Sequence, residues 1–171
     1  GEGMRTFGAI KRLWNVRSVN VRAKREMYAR VVVPTVMYGS EAWGLRVEER
    51  RKLDVMEMRC LRSMCGVTRM DRLRNEVVRE RVGVEEKLSE RVDRKVLKWY
   101  GHVERMSGER LTKRVYRSEV EGERGRGRPP FRWKDGVRRA CAERNMGLEE
   151  ARGICLDRGL WRMRVDGVPD G

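Results

Sequence analysis

Histidine is almost missing from this chain: His102 is the single copy in 171 residues. Cysteine is scarce as well, and Cys60, Cys65, Cys141 and Cys155 show no C-x-x-C spacing. A zinc site needs four such ligands brought together, so the sequence offers no support for one. Reduced thiols serving as small core residues are expected instead. No apolar run approaches the ~18 residues of a membrane span, and no signal peptide stands at the start. An intracellular compartment without a membrane partner is therefore expected, the nucleus ahead of the cytoplasm. Paired aspartates are lacking too. Asp54, Asp71, Asp93, Asp135, Asp157, Asp166 and Asp170 lie singly, whereas two-metal phosphoryl transfer needs carboxylates gathered around ions ~4 Å apart. No G-x-x-x-x-G-K-[ST] loop occurs, and a Ser-His-Asp or Cys-His arrangement would rest on His102 alone. The expectation is a chain with no cofactor, no metal, no catalytic residue and no reaction of its own.

Positive charge is what the sequence has in excess. The formal charge is +15, and arginine supplies 33 of the 41 basic residues. A field of that sign attracts phosphate, and the guanidinium fork binds it bidentately and stacks on bases. GC-rich coding enriches arginine, glycine and valine as well, so composition by itself does not specify function. Residues 1–66 carry +7, 67–118 carry +6, 119–134 carry +2, and 135–171 are neutral. The tail is thus expected to pack against protein rather than bind phosphate. The chain begins at Gly1 and reaches Met4 only later, as a piece of a longer protein would.

Periodicity predicts helix nearly throughout, hence an all-α fold: a small helical bundle, further helices, a Gly/Arg/Pro linker and a C-terminal helical pair. Phe7, Ile10, Leu13 and Trp14 share one face of a first helix. Ser18 and Asn20 can cap a second, running through Tyr28 and Val31–Val33 until Pro34 ends or kinks it. A third spans about 47–65, with Leu53, Met56, Cys60, Leu61 and Met64 on one stripe. Glu57 falls near the middle of that stripe. Either an arginine lies against it, or the helix is rotated enough to expose it. Gly66 suits the position just past the helix end. Thr68-x-x-Asp71 predicts a capping box opening a short helix to Val82.

The helix predicted from about Glu86 to Met106 is three-sided. Its apolar stripe is Leu88, Val92, Val96, Trp99, Tyr100, Val103 and Met106. Lys87, Arg91, Arg94, Lys98 and Arg105 form one flank; Glu86, Glu90, Asp93 and Glu104 form the other, where Leu97 also lands. Segregated signs make the basic flank a candidate phosphate-facing surface, although a solvated face gives the same pattern. His102 borders that flank, as a structural residue or a phosphate contact. A shorter helix is expected from Glu109 to about Glu119. The tract GERGRGRPP at 122–130 then reads as a non-helical linker. Its Arg126-Gly127-Arg128-Pro129 is like an AT-hook core, thin enough for a narrow minor groove. A flexible basic connector is the stronger reading of so short a tract. Arg124, Arg126 and Arg128 complete the candidate nucleic-acid contacts. Two helices are expected between Phe131 and about Val165.

Five motifs occur in order: PTVMYGSEAW (34–43), LDVMEMRCLRSMCGV (53–67), MDRLRNEVVRERVGV (70–84), KWYGHVERM (98–106) and GRGRPPFRW (125–133). Together they resemble the segment that follows the palm in non-LTR retrotransposon reverse transcriptases of the long-interspersed-element type. The resemblance covers nearly the whole chain. It implies thumb-like helices over 1–67, a basic helical region over 68–120, the linker over 121–130 and a C-terminal helical segment over 131–171. It further implies a non-catalytic part of an RNA-directed DNA polymerase, whose Tyr-x-Asp-Asp palm lies upstream as a partner. RNA, an RNA–DNA hybrid or DNA would be held through its phosphates. Pro130 stands where relatives usually carry a basic residue, which lowers the charge of the linker. Six engaged phosphates would give a log affinity against log salt slope of about −5. Two other readings fit the same residues: a stand-alone AT-hook-like DNA-binding protein, and a helical protein-interaction module.

Overall fold

The computed structural model describes residues 14, 16, 18–118 and 131–167, which are helical with no strand among them. The chain packs as two units. One is drawn from Gly1–Gly39 and Val47–Arg91, the other from Ser40–Arg46 and Val92–Gly171.

In the first unit, Asn20 caps α1 (Val21–Met27) as expected, its Oδ1 accepting the Ala23 N–H at 2.8 Å. Pro34 does not end this segment. A π turn, Tyr28–Val32, intervenes before α2 (Val33–Val36), and the Val33 N–H bonds back to the Tyr28 carbonyl. The wider turn makes room for the ring and the N–H that proline lacks, so the helical path continues past it. Next in this unit is α3 (Val47–Met64), close to its predicted span. It ends at Gly66 (φ +65°), where the Val67 N–H reaches the Arg62 carbonyl at 3.0 Å. The Thr68–Asp71 bonds form, yet they close a turn rather than open a helix. Arg72 stands at φ +53°, which no helix tolerates, and α4 begins only at Asn75 and runs to Val82.

The core of this unit gathers Tyr28, Val32, Met58, Cys60, Leu61, Met64, Val78, Val82 and Leu88 around one buried carboxylate. Glu57 is fully buried, and Arg79 of α4 is paired with it. The Tyr28 hydroxyl donates to Glu57 Oε1 at 2.8 Å and the Leu88 N–H to Oε2 at 3.2 Å. Burial first, and the neighbouring carboxylate second, push the Tyr28 phenol far above its ordinary range, which keeps the proton it donates. Of the two arrangements open to Glu57, the structure thus adopts the one with an arginine. This pair ties α3 to α4 across position 67, where the resemblance implies the end of the thumb-like helices.

The second unit is built on α5 (Leu88–Arg105), whose residues from Val92 onward belong to it. Around them lie α6 (Leu111–Arg117), α7 (Trp133–Ala142), α8 (Leu148–Ile154) and α9 (Arg158–Asp166). The tail therefore forms three helices, not two. Asp157 adds a helix start by accepting the Gly159 and Leu160 N–H groups at 2.8 and 3.0 Å, opening α9 afresh. Trp161 is the anchor: its indole N–H donates to the Leu97 carbonyl at 3.0 Å. Gly101 makes this possible, because a Cβ there would overlap the indole. Rings continue edge-on from Trp161 to Tyr100, Tyr116 and Trp133, with centroids 5.8, 6.2 and 6.0 Å apart. As expected for a neutral tail, it packs on protein.

Candidate nucleic-acid interface

The acidic flank is only partly on the surface: Glu86 and Glu90 are half-exposed, whereas Asp93 and Glu104 are buried. Asp93 is 1% exposed and paired with Arg139 at 2.8 Å, and Arg139 also donates to the Leu45 carbonyl. Glu104 is buried against Lys113, itself 1% exposed, with Arg152 at 3.8 Å. Burial alone would raise the Glu104 carboxyl, but Lys113, Tyr116 and Arg152 together hold it below its usual range. Leu97 had no place in a solvated acidic face. It is fully buried, because the true buried face of α5 is rotated toward that side.

The basic flank is described for five of the eight candidate contacts. Lys87 lies 3.5 Å from Glu90, and Arg91 lies 3.2 Å from Glu86. Asp166 of α9 sits between Lys98, at 2.8 Å, and Arg94, at 4.0 Å. Arg105 donates to the Cys155 carbonyl and so anchors the end of α8. Each of these cations has an internal acceptor, which lowers what it offers a phosphate; Arg105 is committed to structure. Arg124, Arg126 and Arg128 lie outside the described residues. His102 is exposed, its ring 5.2 Å from that of Trp99.

A second basic surface, which helical periodicity does not reveal, lies in the turn between α3 and α4. Arg69, Arg72 and Arg74 are exposed there, and Met70 is 88% exposed among them. None of these arginines forms an ion pair within the described residues. The turn is braced throughout. Thr68 donates its N–H and its hydroxyl to Asp71 Oδ2 at 2.6 and 2.8 Å, and the Met70 N–H reaches Thr68 Oγ1 at 3.2 Å. The Arg72 N–H bonds the Arg69 carbonyl at 3.2 Å, and Arg62 Nη2 holds the Leu73 carbonyl at 2.9 Å. The same Thr68 donors hold the Asp71 carboxyl below its ordinary range, so it stays ionised and engaged. The signal available in sequence was TRMDRLR itself, three arginines around a methionine and a turn-forming Thr-x-x-Asp.

Other surfaces offer less. In the second unit a cavity of about 230 Å³ is lined by Tyr100, Tyr116, Arg117, Lys134 and Arg152, below the ~300 Å³ at which small-molecule pockets begin. In the first, an open groove is lined by α3 alone. Among the described residues no three His, Cys, Asp or Glu side chains gather as metal ligands would, and no helix is long and apolar enough to cross a membrane. Cys60, Cys141 and Cys155 are buried and Cys65 half-buried, all as free thiols.

No family model matches the chain, and no solved structure does. The chain is similar to an uncharacterized transposon-derived protein of Caenorhabditis elegans, 26% identical over 123 residues. The match covers 70% of this chain and 44% of the relative, so the chain spans less than half the length of the protein it resembles.

Proposed function

We propose that this chain is a transposon-derived, nucleic-acid-holding segment of a non-LTR retrotransposon reverse transcriptase, lying after the palm and carrying no catalysis of its own. One observation carries the reading: buried acids are neutralised inside the fold, while arginines remain outside it. Asp93, Glu57 and Glu104 each take an internal cation, and Arg69, Arg72 and Arg74 are left to solvent in a chain of charge +15. Such a surface binds RNA, DNA or their hybrid through phosphates, with affinity set by counterion release rather than by base contacts. The likeness to a transposon-derived protein and the five ordered motifs support the origin. In a living element the polymerase chemistry would belong to the upstream palm, and this part would steady the template and primer within the nucleus or cytoplasm.

A filter-binding titration of the whole chain against a 20-base-pair duplex at rising salt tests the reading. About six phosphate contacts give a slope near −5. Absence of binding at low ionic strength to duplex DNA, hybrid and RNA alike would reject it. Replacing Arg91, Arg94 and Lys98 together by glutamine would flatten the slope by three units were all three free. Their pairing with Glu86 and Asp166 makes a smaller change the expected result.

A further inference from the structure

We infer that the braced turn from Thr68 to Arg74 is a wedge: Met70 enters a base step of a nucleic-acid duplex while Arg69, Arg72 and Arg74 hold the flanking phosphates. The inference rests on the nucleic-acid reading above and adds to it a contact to bases. Single exposed apolar side chains are ordinary on protein surfaces. Met70 differs in its setting. It is the most exposed large apolar residue among those described, and the backbone on either side of it is fixed by side-chain bonds from Thr68, Asp71 and Arg62. The bonds hold the turn in one shape before any partner arrives, which lowers the ordering cost of binding. Arg72 is kept at φ +53°, a conformation uncommon outside glycine, and it is sustained by the surrounding bonds.

The chemistry of the ring around Met70 selects the partner. Three guanidinium groups without an ion-pair partner favour a polyanion over an apolar protein groove. An unbranched thioether among them is one of the side chains that proteins insert between base steps, where it partly unstacks the duplex while arginines take the backbone. A single-stranded partner offers no closed step to enter. The inference therefore commits to a duplex.

The test uses the full chain and two 20-base-pair probes, a DNA duplex and an RNA–DNA hybrid, each with 2-aminopurine at interior positions. Unstacking raises the emission of that base. The unsubstituted chain should raise it on saturation with at least one of the two probes. Met70→Ala should keep the salt slope and lose the rise. Arg69→Gln, Arg72→Gln and Arg74→Gln together should flatten the slope by nearly three units, at ~0.9 per phosphate. Because Met70 is solvent-exposed, thermal unfolding of Met70→Ala should match the unsubstituted chain, which separates lost insertion from lost fold. If the chain binds duplex yet never raises emission, or if Met70→Ala raises it fully, the wedge is overturned while the nucleic-acid reading stands. If light scattering instead shows that Met70→Ala abolishes self-association and leaves emission unaltered, the turn is a protein contact and the inference is wrong. Failure to bind either duplex overturns the wedge, and failure to bind RNA as well removes the nucleic-acid reading with it.

Discussion

The cations of this protein fall into two groups that composition cannot tell apart. Arg79, Lys113 and Arg139 are built into the fold, each against a buried carboxylate. Arg69, Arg72 and Arg74 sit on a braced turn with no acid of their own. The first group should govern stability and leave salt-dependent binding nearly alone, and the second should do the reverse. A count of +15 treats them alike, so net charge overstates how many cations a polyanion could reach.

The sharpest way to break this division is to remove a cation of the first group. Arg79→Leu leaves the Glu57 carboxylate buried beside the Tyr28 hydroxyl and the Leu88 N–H, with no counter-charge. Losing one partner of a buried pair costs about 3–5 kcal/mol, and urea unfolding should show a loss of that order. Lys113→Met should cost the second unit a similar amount, because Glu104 is then buried with only the more distant Arg152. A loss under about 1 kcal/mol in both would mean that these pairs are not what holds their cores, against the usual cost of an orphaned buried charge. The Glu104 contribution has a definite pH sense. Its folded-state carboxyl is depressed, so its stabilisation is present above the unfolded value and disappears as pH falls through the folded one.

Gly101→Ala makes a smaller, purely steric test. The added methyl would meet the Trp161 indole and cost about 1–3 kcal/mol as overpacking, read as a lowered Tm. An intermediate effect is expected for the thiols. Burial pushes Cys60 up to about 12 and Cys141 up to about 11. A maleimide at pH 8 should leave both unmodified in the native chain and label them promptly in urea. Since the folded-state values lie above the unfolded ones, stability from these groups is complete below about pH 9 and falls as pH rises toward 11 and 12.

Which parts of this were legible beforehand follows from what sequence periodicity measures. It reports apolar residues, so the α3 and α5 stripes, the Asn20 cap and the Gly66 stop were visible, whereas an arginine against Glu57 was one of two arrangements the pattern left open. It says nothing of a polar residue whose partner is distant in the chain. Asp93 and Glu104 looked like a solvated face because Arg139 and Lys113 lie 46 and 9 positions away. Leu97 was the one residue that contradicted that face, and the contradiction pointed the right way. Two helices were expected after Phe131 where three form, because a capping aspartate such as Asp157 resets the phase of a helix without changing the apolar count. The turn at Arg69–Arg74 was read as a helix start, since the Thr-x-x-Asp bonds are common to both and only the left-handed Arg72 separates them.

The smallest expected effect is the one that joins the two groups of cations. Asp166 of α9 lies against Lys98 and Arg94, both half-open to solvent, with side-chain exposures of 54% and 32%. Exposed pairs of this sort contribute about 0–1 kcal/mol, so Asp166→Asn should hardly alter urea unfolding. Binding should respond in the opposite direction to the loss of Arg69, Arg72 and Arg74. Releasing Lys98 from Asp166 adds up to one cation to the set open to phosphate, so the salt slope should steepen by up to about one unit. A steeper slope with unaltered stability would make the α5 flank a held-back part of the interface, capped by the protein's own carboxylate. An unaltered slope would assign Lys98 and Arg94 to the packing of α9, leaving the turn before α4 as the principal described surface that meets nucleic acid.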